Sequence, residues 1–144
     1  MLTTLIAVLG TLAGTAIAHL SQRAHRRATD ARTQRADAIT AIADLATALA
    51  DHRRTMWLRE DLRLSGRDWA AARAESHTTR SAITAPLLRV QILLPAVAGP
   101  ARQATQAVYN LRDAADGPTL TAARDNAIRK ADDFVAAAGT ALTA

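Results

Sequence analysis

Side chains that could act as nucleophiles, proton acceptors or metal ligands are sparse in this chain of 144 residues. Cysteine is absent, and the four histidines show neither an HExxH motif nor another ligand spacing. His52 and His77 could face each other across two neighbouring helices, but we interpret both as solvated surface residues. Ser65 and Ser76 have no base at a recognisable spacing, and no P-loop or GxGxxG motif occurs. The sequence therefore predicts no enzyme, no metal site and no cofactor.

Arginines beside a tryptophan offer a second kind of chemistry, the binding of anions. Arg53 and Arg54 precede Trp57 by one helical turn, and cations next to an aromatic ring can contact phosphates and bases. The stripe continues, but with two acidic residues that halve its charge: Arg59, Glu60, Asp61 and Arg63. We therefore prefer a solvated, salt-bridged helix face, with an interaction stripe of Arg53, Arg54 and Trp57 as the alternative.

The excess basic charge of the chain is concentrated in one short segment. Residues 23–35 contain a single acid, Asp30, and five arginines, namely Arg23, Arg26, Arg27, Arg32 and Arg35. Residues 36–144 keep 13 basic and 12 acidic side chains, so they are nearly neutral although the whole chain carries +5. We predict that this arginine collar contacts anionic lipid headgroups. Nucleic-acid binding through phosphates is the less favoured alternative, because the rest of the chain lacks a basic face.

The collar follows an uncharged stretch at residues 1–22, MLTTLIAVLGTLAGTAIAHLSQ. As an α-helix this stretch would be about 33 Å long, enough to cross the hydrocarbon of a bilayer. We predict a single transmembrane anchor, with the N-terminus outside and the arginines in the cytoplasm. A cleaved signal peptide, with Ala16-Ile17-Ala18 before its cleavage site, and a buried soluble helix are the alternatives that the length and flanking charge disfavour.

Small residues recur every four positions within the predicted anchor. Gly10, Gly14 and Ala18 would lie on one helical face, where small side chains let two membrane helices approach closely. Chance is the competing explanation, because Gly and Ala are common in membrane helices. We expect a homo-oligomer, and this face is one candidate for the contact between its copies.

The remainder of the chain has the pattern of a helical bundle. Aromatic residues make up only 3% of the sequence and alanine is abundant, which suits closely spaced helices better than strands. We predict helices that end at about Leu64 and span residues 69–94, 101–115 and 119–142, with Gly66 ending the first and Asp68 capping the second. The predicted core includes Ile39, Ile42, Leu45, Ala46, Leu49 and Met56 early on, and Leu120, Ala127, Phe134, Val135 and Ala138 in the last helix.

Pro86 and Arg89 lie within the predicted second helix. We expect Pro86 to kink or break it, because proline lacks the N–H that the helix needs. Residues 81–99 carry one charge, Arg89, and its cost at a bilayer centre argues against a second membrane span. We expect Arg89 to reach an acid such as Asp44 or Asp51.

The predicted architecture is therefore all-α, with a single N-terminal transmembrane helix that continues into a small antiparallel bundle of about four helices. Its segments are the anchor at 1–22, a basic juxtamembrane helix at 23–38 and a cytoplasmic bundle at 39–144.

Several stretches form a pattern over nearly the whole chain: MLTTLIAVLGTLAG, the basic segment that follows it, AITAIADLATALADHRR with Trp57 just beyond, DWAAARAES and LLRVQILL. The pattern resembles the small KilB-like membrane proteins of actinomycete plasmids and chromosomes. Pro86 departs from it, because relatives are expected to have an unbroken helix there. The resemblance implies a role in plasmid spread between hyphal compartments, and growth inhibition when the protein is unregulated.

The sequence thus leaves two function classes. The preferred one is a non-enzymatic, membrane-anchored interaction protein whose partners are membrane lipids, further copies of itself and other membrane or transfer-complex proteins. The alternative is a membrane-tethered, DNA-contacting accessory protein of conjugative transfer that uses the arginine collar and the arginines at 53–67.

Overall fold

The backbone of residues 2–143, and the side chains of Gln22 and residues 25–143, are described by a computed structural model. Four α-helices follow one another: α1 (Leu2–Leu64), α2 (Ala70–Leu93), α3 (Ala98–Tyr109) and α4 (Gly117–Thr143), with a 3-10 helix (Pro95–Val97) between α2 and α3. No strand occurs in this backbone, so the all-α prediction is confirmed. The chain divides into two compact units, residues 1–36 and 37–144.

The predicted anchor, apart from Gln22, lies outside the residues whose side chains are described. The same holds for Gly10, Gly14, Ala18 and Arg23. Among the side chains that the structure does describe, no helix is both long and apolar enough to cross a bilayer.

Helix α1 ends as predicted, through a glycine in the left-handed region. Gly66 has φ +68°, and its N–H donates to the carbonyl of Arg63 while the N–H of Arg67 donates to the carbonyl of Leu62. This pair of hydrogen bonds is the Schellman motif, which satisfies carbonyls at a helix end. Asp68 then accepts a hydrogen bond from the N–H of Ala70 at 3.0 Å, at the start of α2.

Helix α2 continues through Pro86, so the proline does not break the helix, which was one of its two expected effects. Ile83 and Val90, on either side of the proline, are both completely buried. Because both halves bury the same face, their packing outweighs the roughly 3 kcal/mol that an internal proline costs.

Helix α3 is shorter than predicted, because it ends at Tyr109 and not near residue 115. The chain then turns through Asp113, which has φ +58°, yet Leu111 and Ala114 remain buried.

Helix α4 begins at Gly117, two residues before the predicted start. Hydrogen bonds from the hydroxyl and the backbone N–H of Thr119 lower the pKa of Asp116, just before that helix.

The core of residues 37–144 combines a few large side chains with many alanines. Fully buried members include Leu45, Leu49, Ile83, Val90, Val97, Ala101, Ala104, Val108, Leu111, Ala127 and Phe134. On α1 the buried face runs through Ala38, Ala41, Leu45 and Leu49, one position away from the predicted centre of the stripe. Ile39 is therefore 49% exposed, and Val135 on α4 is 48% exposed, which corrects both core predictions.

Three contacts set the direction of α2 relative to the second half of α1. Arg89 Nη1 lies 3.1 Å from Asp44 Oδ2, His52 pairs with Thr79, and Arg59 donates to Ser76. From Asp44 to Arg59 on α1, the contacting residues on α2 run backwards from Arg89 to Ser76, so the two helices are antiparallel. The predicted ion pair of Arg89 with Asp44 is confirmed.

We predict that Gly66→Ala destabilises the protein by about 1 kcal/mol, because a Cβ atom is unfavourable at positive φ. Gly139→Ala is the matched control: Gly139 is exposed within α4, and a Cβ there would meet nothing within 4 Å. The control should stabilise by about 0.5–1 kcal/mol. Urea unfolding of the full-length variants measures both changes, and an undiminished midpoint for Gly66→Ala would contradict the role of the left-handed turn.

Candidate functional site

The predicted stripe on α1 lines a cleft. Arg53, Arg54 and Trp57 surround a volume of about 270 Å³ together with Arg124 of α4. The guanidinium carbon of Arg124 lies 5.9 Å from the centre of a Trp57 ring, and Arg54 pairs with Asp51 at 3.0 Å. The structure therefore brings the three predicted residues together and adds a cation from α4 that spacing along α1 could not reveal. Their role as an interaction stripe stays a prediction.

Two charged side chains on the next turn of α1 are buried in the interior of the bundle. Glu60 is completely buried and Arg59 is only 7% exposed, so the prediction of a solvated face was wrong for both. The salt-bridged part of that prediction is confirmed, because Arg63 Nε lies 2.6 Å from Glu60 Oε2 and Arg59 Nε lies 3.5 Å from Glu60 Oε1. A buried carboxylate needs such partners, since an unpaired buried charge is costly.

The two arginines connect this carboxylate to the rest of the bundle. Arg59 Nη1 donates to Ser76 Oγ on α2 at 3.3 Å, and its guanidinium lies 5.4 Å from the centre of a Trp69 ring. Arg63 Nη2 donates to the carbonyl of Ala114, between α3 and α4. One buried ionic group on α1 thus fixes both the second helix and the last connection.

A small pocket of about 30 Å³ lies beside this group, between α1, α2 and the end of α3. Its lining contains no carboxylate, and consists of His52, Met56, Arg59, Ser76, His77, Arg80, Tyr109 and Arg112. The guanidinium of Arg80 stacks 4.2 Å from the ring centre of Tyr109. We call this space the arginine pocket.

His52 corrects a second sequence prediction, because it is only 2% exposed. Its Nδ1 and Thr79 Oγ1 share a hydrogen bond of 2.9 Å, and its ring meets Tyr109 edge-on with centres 5.6 Å apart. Burial, followed by the charges of Arg80 and Arg59, lowers the pKa of His52 from 6.5 to about 4. His77 is exposed, as predicted.

An open depression of about 540 Å³ lies along the first turns of α2, and all of its lining residues fall within residues 68–77. Asp68, Trp69, Arg73 and His77 line it, and His77 also lines the arginine pocket. The Arg73 guanidinium lies 5.6 Å from the centre of a Trp69 ring. Sequence reasoning missed this site, although Trp69, Arg73, His77 and Arg80 follow a three-and-four spacing that places them on one helical face.

The structure describes the side chains of four of the five arginines in the arginine collar. Arg26, Arg27, Arg32 and Arg35 are exposed. In the portion of the chain with described side chains, no three His, Asp or Glu residues come close enough together to hold a metal ion.

Fold and site together define the class: a small all-α protein with a buried ionic group and arginine-lined cavities. Residues 39–142 match the family described as KilB plasmid transfer protein. The chain is also 57% identical over 141 residues to Protein KilB of Streptomyces lividans, which covers 96% of each chain. No solved structure gives a significant match.

The chain belongs to the KilB family, which confirms the resemblance and supports a role related to plasmid transfer.

We predict that the free energy of unfolding decreases as the pH falls below the ordinary pKa of histidine, because of His52. Its folded pKa of about 4 lies below the ordinary 6.5, so the unfolded chain binds the proton first. Stability is therefore greatest above pH 6.5 and decreases towards pH 4, by roughly 3 kcal/mol in total from this residue.

Urea unfolding of the full-length protein at pH 7.5 and 5.0 tests this prediction. His52→Gln should reduce the loss of stability between the two pH values, whereas His77→Gln, an exposed control, should keep it. Equal pH dependence in wild type and His52→Gln would contradict the assignment.

Proposed function

We propose that this chain is a non-enzymatic, membrane-anchored interaction protein that acts in plasmid transfer. The observation that carries the proposal is the uncharged stretch at residues 1–22 with an arginine collar directly after it, in a chain of the KilB family. Membership of the KilB family supports a role in plasmid transfer. The apolar stretch followed by basic residues supports attachment to the membrane.

The collar holds the anchor at one depth and orientation. Arg26, Arg27, Arg32 and Arg35 are exposed along the helix, where each can contact an anionic headgroup for about 1 kcal/mol. The N-terminus lies outside and the bundle lies in the cytoplasm. Gly10, Gly14 and Ala18 bring two or more copies together within the membrane.

The helical bundle serves as the contact module for other membrane or transfer-complex proteins. Its cleft of Arg53, Arg54, Trp57 and Arg124 offers cations beside an aromatic ring, a combination that is enriched where proteins bind one another. Nucleic acid is the less favoured partner, because Arg59 and Arg63 are engaged with Glu60 and Arg67 is paired with Asp61.

We predict that single cysteines report opposite sides of the membrane. The natural chain has no cysteine, so Thr3→Cys and Thr140→Cys can each be labelled alone with a membrane-impermeant maleimide. In intact cells Thr3→Cys should react, and Thr140→Cys, at an exposed position of α4, should react only after lysis.

Alkaline extraction of membranes supplies the second measurement. The full-length protein should stay in the pellet, and Leu9→Arg with Leu12→Arg should release it, because each buried arginine costs about 2.5–3.5 kcal/mol. Ala122→Arg with Ala136→Arg, at exposed positions of α4, adds the same charge and should remain in the pellet. Release of the unaltered protein, or labelling of Thr140→Cys from outside, would overturn the proposal.

A further inference from the structure

The arginine pocket carries a charge that the described protein groups around it do not balance. Arg59, Arg80 and Arg112 line it without any carboxylate. Arg59 shares Glu60 with Arg63, and Arg112 is paired with Asp113 at its outer edge. Arg80 forms no ion pair with any described carboxylate and only stacks on Tyr109. Burial lowers the pKa of the neighbouring His52 most, and the charges of Arg80 and Arg59 lower it further.

The inner wall of the pocket is rigid and supplies hydrogen-bond donors. Arg59 and Ser76 are 7% and 3% exposed, and Arg59 Nη1 is fixed by its bond to Ser76 Oγ. The buried Nε of Arg59 makes no hydrogen bond, but it lies 3.5 Å from Glu60 Oε1, which makes none either. Donors that are already held in place bind an anion at little cost in side-chain entropy.

From this arrangement we propose that the arginine pocket binds the terminal phosphate of a phosphate monoester. The guanidinium groups of Arg59, Arg80 and Arg112 would donate to its oxygens in the forked geometry that suits phosphate. The hydroxyl of Tyr109 is a further donor in the lining, whereas Ser76 Oγ accepts from Arg59 and already donates to the carbonyl of Arg73. The lining residues all lie within residues 52–112, outside the predicted anchor, so this proposal does not depend on the proposed function.

The size of the pocket favours a terminal group over a polymer backbone. About 30 Å³ has room for a water or for the oxygens at one end of a phosphate, but not for a nucleic-acid strand. The open depression of about 540 Å³ along the start of α2 shares His77 with the pocket and is lined by Trp69, Arg73 and the carboxylate of Asp68. The organic part of the monoester would lie there.

Two sources of such a phosphate share this chemistry. One is a soluble phosphate ester, and the other is a lipid whose headgroup is a phosphate monoester. Phosphatidic acid in phosphatidylcholine bilayers and glycerol phosphate in solution represent the two sources in a binding experiment.

The test uses the full-length protein and starts with inorganic phosphate. Phosphate should raise the thermal unfolding midpoint above that in chloride at the same ionic strength, because it binds the folded state. Arg80→Gln and Arg112→Gln should each weaken the apparent affinity about tenfold or more. Arg102→Gln and Arg129→Gln remove the same charge from exposed positions of α3 and α4 that line neither the arginine pocket nor the cleft at Trp57, and they should stay within about twofold of wild type.

Trp69 gives a second readout in the Trp57→Phe background, where it is the remaining tryptophan. Phosphate should change its fluorescence with the same affinity, and circular dichroism verifies that each variant is folded. A stronger response to glycerol phosphate than to phosphate identifies a soluble ester, and a response only to phosphatidic acid bilayers identifies a lipid. No response to any of these probes, or equal losses in Arg102→Gln and Arg80→Gln, would overturn the proposal.

Discussion

A carboxylate without exposure to solvent constrains the whole bundle. Glu60 must find cations within the protein, because burying an unpaired charge would cost several kcal/mol. It finds them one residue before and three residues after itself on α1. Since Arg59 continues to Ser76 and Arg63 continues to the carbonyl of Ala114, the requirement of one side chain becomes a restraint on three segments of the chain.

The same ionic group sets the electrostatics of the neighbouring cavities. It holds Arg59 at the wall of the arginine pocket, where Arg80 and Arg112 add further positive charge. His52 lines the same pocket, and burial followed by the charges of Arg80 and Arg59 lowers its pKa. The bundle therefore has an interior pocket lined by three arginines as well as an outward cleft at Arg53, Arg54 and Trp57.

Local sequence signals predicted the elements well where they depend on neighbouring residues. The end of α1 at Leu64, its left-handed Gly66 and the role of Asp68 follow from turn chemistry alone. The unbroken course of α2 at Pro86 and the early end of α3 could not be predicted from local signals, because packing of the flanking residues outweighs local propensity there. The family resemblance was also evident from sequence, since it depends on motifs along the chain.

The burial of charged residues was the part of the site that sequence analysis did not predict. Charged residues on α1 were assigned to the surface, although His52, Met56, Glu60 and Arg63 continue the three-and-four spacing of Leu45 and Leu49. That spacing could have indicated a buried ion pair. The arginine pocket could not be found this way, because its lining comes from three separate segments that only the tertiary fold brings together.

A double-mutant cycle between Glu60 and Arg63 tests most directly whether the buried ionic group holds the bundle together. Urea unfolding of Glu60→Gln, Arg63→Gln and the double variant gives the coupling free energy. We expect a coupling of about 2–3 kcal/mol, against less than about 1 kcal/mol for the half-exposed pair of Asp44 and Arg89. Additive losses at Glu60 and Arg63, within about 0.5 kcal/mol, would contradict the central role of this ion pair.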